Sequence, residues 1–311
     1  MDYMEFKIKK ARPGIRQITV NNYLNYLKSV AKKVTGEEFK NLDFTKDYEK
    51  VKFYLDEYTF NTRRAITTAL IVGLGAIDDP NKNKKKYDEL LTVLRLEANN
   101  NNKNNVQSEK VKEQWTTMAE LRKIYNKWRR LVNDDDIPNR DVLSRRSQDI
   151  LQNYLIVSLY TLMPPRRLIY SDLELISTVK FKKLKNIQKK RNYLVFSKSL
   201  RKIFFWFGYQ KSKIESDNNA LQKPNNRIRK ILQLYLRFNR NRQWLLYNNK
   251  GEPISHNGLG ITLKKLLGVG ATMIRKIYIT ENTKEAHMKI HNIASKMGHS
   301  PKMAFDSYLQ K

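Results

Sequence analysis

The sequence predicts a mainly α-helical chain with a small antiparallel β-sheet, an α+β fold built in two parts. Three observations predict it. Apolar residues recur at helical spacing over most of the 311 residues. Three short runs, TVKF (178–181), NYLVF (192–196) and KIFFWF (202–207), change to β-branched and aromatic residues separated by lysine-rich turns. Between the parts, EANNNNKNNVQSEK (97–110) has nothing to bury and reads as a solvated linker.

Taken in order, residues 1–14 (MDYMEFKIKKARPG) are basic and end on Pro13-Gly14, which predicts a flexible arm. From Thr19, Val20, Tyr23, Leu24, Leu27, Val30, Ala31 and Val34 mark one amphipathic helix that Gly36 stops. Further helices are expected near 45–57, 62–76 and 85–97, giving a four-helix domain over 15–98. Residues 99–116 form the expected linker, and a second domain spans 117–311. It opens with helices near 117–131 and 141–162, the latter ending at Pro164-Pro165. The three β-runs follow. Helical spacing then returns in IRKILQLYLRF, NGLGITLKKLL, ATMIRKIYIT and KEAHMKIHNIASKM, with a short last helix around 302–309.

Charge narrows the function. Lys+Arg 61 against Asp+Glu 30 gives a formal net charge of +31, far more than solubility needs, and its natural counterpart is a polyanion, with double-stranded DNA the leading partner. No apolar run approaches the roughly 20 residues of a membrane span, and MDYMEFKIKK has charge where a secretion signal needs an apolar stretch. With no cysteine, thiolate metal sites, thiol nucleophiles and disulfides are excluded. There is no Walker-type glycine loop, so no ATP site is expected.

Four places in the second domain carry reactive side chains: PPRRLIY (164–170), GYQKSK (208–213), ATMIRKIYIT (271–280) and MGHSPKMAFDSY (297–308). Singly, each has an ordinary reading as phosphate contact, solvated charge or packed aromatic. Together, in this order, they resemble the active site of the tyrosine recombinases, or phage-type integrases, in the style of those from virophages, giant viruses and polinton-like elements. IRKIYIT is similar to the second-arginine box, with Arg275 and Thr280. MGHS is similar to the L-G-H-S box, and Tyr308 lies nine residues beyond His299. LYTLMPPRR is similar to the first-arginine box of the viral integrases, an alignment that selects Arg167 over Arg166.

The resemblance implies an N-terminal core-binding domain, a catalytic domain, and DNA cleavage through a 3′-phosphotyrosyl intermediate with neither metal nor ATP. It implies Tyr308 as nucleophile, Arg167 and Arg275 as clamps on the phosphate, His299 as a hydrogen-bonding or proton-shuttling partner, and Lys211 as general acid, with Lys213 its rival. These residue types suit the chemistry. Two guanidiniums can neutralise charge that builds on a phosphodiester, and they stay protonated at any working pH. A phenolate conserves the bond for rejoining, and the departing 5′ oxygen needs a proton donor. Three positions depart from the pattern: Thr272 replaces the usual first histidine of the second box, Lys276 stands where another histidine is common, and Tyr170 stands where an acidic residue often supports the first arginine.

The resemblance further implies a homo-oligomer on DNA, a tetramer, acting on viral genomes in a host nucleus or a cytoplasmic virus factory. Only Leu309, Gln310 and Lys311 follow Tyr308, so no long tail is expected to pass between subunits. A type IB topoisomerase and a non-catalytic DNA-binding protein of the same fold are the alternatives. His287 and His291 lack a third ligand, so no metal or cofactor is expected. His256 is expected at a helix start, and Phe204, Phe205 and Trp206 are expected to pack on both faces of the sheet.

Overall fold

The computed structural model describes residues 3–77, 83–103, 112–113, 115–208 and 220–296. The chain divides into two compact units, Met1–Ser108 and Glu109–Lys311.

Among its described residues, unit 1 is built of helices joined by short turns and has no strand. The segment expected to be a flexible arm is instead helix α1, Tyr3–Ala11, because Met4 and Ile8 fall one turn apart and are both buried. Basic residues obscured that short apolar period. Helix α2, Gln17–Thr35, buries Val20, Leu24, Leu27, Val30, Ala31 and Val34, and Gly36 ends it in the left-handed conformation at φ 79°. Helix α3, Tyr48–Asp56, starts where the Asp47 carboxylate accepts the Lys50 N–H. Helix α4, Phe60–Ala76, is the centre of the unit: every residue from Ala69 to Leu74 is buried. Gly73 lets it approach the Leu27 and Leu42 side chains, which a Cβ would meet at 3.3 and 3.2 Å.

Helix α5, Asn83–Lys103, runs on into the asparagine-rich stretch expected to be linker. Tyr87, Leu91, Leu94 and Ala98 are buried at its helical spacing, so the helix is already nucleated when the asparagines begin. Residues 104–111 and 114 of that stretch lie outside the described residues.

Unit 2 packs helices around a four-stranded sheet. Helices α6, Met118–Asp134, and α7, Arg145–Thr161, begin on side-chain caps from Thr117 and Ser144. The strands are β1 (Glu174–Ser177), β2 (Asn192–Phe196), β3 (Ile203–Phe207) and β4 (Leu221–Gln222), in that order across the sheet. β2–β3 is antiparallel as expected; β3–β4, whose short second strand the sequence does not signal, is antiparallel too, and β1 runs parallel to β2, so the sheet is mixed. The TVKF run explains the difference. Its strand-like composition is overruled by Ser177, whose hydroxyl caps helix α8, Thr178–Lys182. The strand moves upstream to ELIS, and the chain crosses over before re-entering at Asn192.

Ile203, Phe205 and Phe207 of β3 are buried, while Phe204 and Trp206 alternate with them and meet Phe181 of α8. Both faces of the strand are therefore packed. Helices α9 (Asn226–Asn239), α10 (His256–Leu267) and α11 (Ala271–Lys296) complete the unit. ATMIRKIYIT and the following helical run are one continuous element. Midway along it, the Glu281 carboxylate accepts the Met118 N–H at 2.9 Å, tying α11 to the first turn of α6.

Candidate active site

The turn after α7 separates the two arginines of PPRR. Arg166 is half-buried; its Nε donates to the Gln222 side-chain oxygen at 3.0 Å, and its guanidinium lies 3.8 Å from the Phe207 ring centroid. Strands β3 and β4 thus hold the arginine from the side and below. Arg167 is exposed. Its carbonyl accepts the Tyr160 hydroxyl at 2.9 Å, and it heads the 3₁₀ helix Leu168–Asp172.

The floor of this arrangement is aromatic. Tyr170 is fully buried and meets Tyr160, Phe205 and Phe207 edge-on, with centroids 5.5, 6.0 and 6.2 Å away. Its hydroxyl has no hydrogen-bond partner among the described residues. Burial raises the Tyr170 pKa and the Arg166 charge opposes that rise, so the phenol is neutral and no carboxylate stands in its place.

The second arginine comes from α11, where Ile274 and Ile277 are buried and Arg275 between them is half-buried. Burial lowers the Arg166 pKa, Tyr170 opposes that shift, and the positive charge of Arg275 adds to it. Arg166 thus feels the charge of Arg275. Among the described residues neither forms an ion pair, and the terminal nitrogens of Arg166 make no hydrogen bond. A half-buried pair of like charges with free donors is an arrangement that an anion relieves.

Beside the 3₁₀ helix, the Ser171 hydroxyl donates to the Leu168 carbonyl at 2.7 Å and lies 3.2 Å from His256 Nδ1. Since the serine proton is already committed, the imidazole supplies the hydrogen of the second contact. The cap of α10 is Ser255, whose hydroxyl accepts the Gly258 N–H; His256 takes the first helical position. Asp172, next to this pair, has its pKa raised chiefly by burial.

No protein-family model, curated protein or solved structure matches the chain.

Of the residues expected in the site, Arg167 and Arg275 are described, whereas Lys211, Lys213, His299 and Tyr308 lie outside the described residues, as does the expected last helix. Among those described, the charge of Arg275 acts on Arg166, the neighbour of the arginine selected by alignment. Gln222, Phe207 and Tyr160 escape sequence reasoning, because their contributions arise only when β3, β4 and α7 meet the turn. No three histidine or carboxylate side chains converge as metal ligands among the described residues, and no described helix is long and apolar enough to cross a membrane.

Proposed function

We propose that the chain is a DNA strand-breaking and rejoining enzyme of the tyrosine-recombinase type, with Arg166 taking the place assigned to Arg167 by sequence. The observation that carries the reading is the Arg166 guanidinium, half-buried over Phe207 and held by Gln222, with the charge of Arg275 from a distant segment acting on it and no ion pair to either arginine among the described residues. Such a charge is costly without an anion, and a phosphodiester offers two non-bridging oxygens to two forks of donors.

In this reading the Tyr308 phenol releases its proton to His299 or to solvent as its oxygen attacks phosphorus, the bond to the 5′ oxygen breaks, and Lys211 gives that oxygen a proton. His299 hydrogen-bonds the phosphate. Rejoining reverses the steps, with a 5′ hydroxyl displacing the phenolate and returning its proton. The net charge of +31 supplies sequence-independent attraction to duplex DNA. Assembly as a homo-oligomer on two DNA sites, and action on viral genomes in a nucleus or virus factory, belong to the same proposal.

The test is a nicked suicide duplex, in which a covalent protein adduct accumulates at a 3′ end. The adduct is expected with the unaltered chain and lost in Tyr308→Phe. Absence of adduct across a library of duplexes, with binding intact, would leave a DNA-binding protein without chemistry. Adduct formation with relaxation of supercoiled DNA by a monomer would assign the topoisomerase reading.

A further inference from the structure

The crossover from β1 to β2 is the most one-sided stretch of the described chain. Residues 178–191, TVKFKKLKNIQKKR, hold six lysines, one arginine and no acidic residue. A run of this kind is ordinarily a solvated turn whose backbone moves with its side chains. Here the backbone is anchored at several points.

Phe181 sits among Tyr193, Phe204 and Trp206, with centroids 5.9, 5.8 and 5.3 Å away and all three contacts edge-on. The Trp206 indole N–H donates to the Lys189 carbonyl at 2.7 Å, and the Tyr193 hydroxyl donates to the Gln188 carbonyl at 2.9 Å. At the end of β3 the Gly208 N–H donates to the Arg191 carbonyl at 3.1 Å. Contact there is so close that a Cβ on Gly208 would fall 1.8 Å from the Lys189 carbonyl oxygen. The crossover and the exit of β3 are thus one rigid piece, and the segment carrying Lys211 departs from it.

The charges on this piece are displayed and uncompensated. Lys180, Lys182, Lys183, Lys185 and Lys190 are exposed, and none meets a carboxylate among the described residues; Arg191 pairs with Glu174 at 3.1 Å. Because the backbone is already ordered, a polyanion laid against these ammonium groups need not pay the entropy of ordering a loop.

We propose that this anchored crossover is a docking platform for the phosphate backbone of duplex DNA, holding the duplex beside the root of the segment that carries Lys211. The proposal rests on DNA being the partner of the chain. A membrane surface is the weaker occupant. Helix α8 is only five residues long and its aromatic residue is turned into the sheet; Val179 and Ile187 are the exposed apolar side chains of the crossover, too few to make a face that enters lipid.

The experiment measures non-covalent affinity of the full chain for a short duplex across a salt series. Lys182→Gln, Lys183→Gln and Lys185→Gln are combined in one variant, with thermal melting confirming that it folds. Each lost phosphate contact lowers the slope of log K against log salt by about 0.9, so a fall of roughly 2 to 3 is expected. A second variant, Phe181→Leu, keeps every charge but loosens the anchor; several-fold weaker binding at fixed salt is expected. An unchanged slope in the triple variant overturns the platform. So does an unchanged slope accompanied by lost binding to phosphatidylserine vesicles, which would assign the surface to membranes. Because this readout needs no covalent step, a missing tyrosyl adduct would sink the enzyme reading and leave the slope result standing.

Discussion

The Arg166 guanidinium lies over the Phe207 ring, 3.8 Å from its centroid, while its Nε is held by Gln222. One face of the guanidinium is thereby covered and one donor engaged, which fixes the plane of the remaining donors. Arg166→Ala is expected to reduce adduct formation on a suicide duplex by about 10²- to 10³-fold, the usual effect of removing a transition-state donor. Arg167→Ala is expected to stay within a few-fold of the unaltered chain. The reverse ranking would return the role to Arg167.

Gln222 offers a finer probe. Gln222→Glu keeps the shape but sets a carboxylate against Arg166 Nε, 3.0 Å away in the present geometry. An internal ion pair would then compete with the DNA phosphate. Weaker duplex binding and a slower covalent step are expected, with partial recovery in Gln222→Met. Equal activity of all three would mean that Arg166 does not meet the phosphate.

Tyr170 tests the aromatic floor. Its buried hydroxyl lacks a partner among the described residues while its ring packs on three others. Tyr170→Phe removes the polar atom and keeps the ring, so unfolding free energy is expected to stay level or rise by about 1 kcal/mol, read by chemical denaturation. A loss above that size would reveal a hydrogen bond the phenol makes.

Asp172 sets a pH dependence of stability. Burial raises its pKa, while its own backbone, His256, Asn192 and Ser171 act in the other direction. A raised carboxylate pKa means the folded chain binds the proton more tightly than the unfolded chain. Its contribution is therefore unfavourable above the folded pKa and fades as pH falls towards the ordinary aspartate value of 3.8. Asp172→Asn is expected to raise the melting temperature at pH 7 relative to the unaltered chain, with the difference shrinking as the pH is lowered through that window. A variant whose advantage grows with acid would contradict the sign.

Gly208 is needed for space, not for an unusual backbone angle. A Cβ there would overlap the Lys189 carbonyl oxygen and crowd that of Arg191. Gly208→Ala is expected to cost more than about 2 kcal/mol in denaturant unfolding, because backbone rather than a flexible side chain must yield. A neutral substitution would show that the crossover is free to move away from β3.

Much of this fold is legible in the sequence where one signal dominates. The period of Val20, Leu24, Leu27 and Val34 predicts α2, and NYLVF matches β2 residue for residue. Legibility fails where two signals compete. TVKF has strand composition, but a serine cap and the docking of Phe181 make it helical. Met4 and Ile8 carry a helix inside a segment whose charge suggests an arm. The PPRR doublet is hardest, since only an alignment, which selects Arg167, separates the two adjacent arginines on paper. In the fold their surroundings differ: Arg166 is half-buried against Phe207 and Gln222, while Arg167 is exposed.

The bond from the Met118 N–H to Glu281 gives α11 a second duty. Met118 opens unit 2's first long helix, immediately after the stretch that joins the units, while Glu281 sits under two turns beyond Arg275 on the same rod. One hydrogen bond thus fastens the opening of the second unit to the rod that carries Arg275.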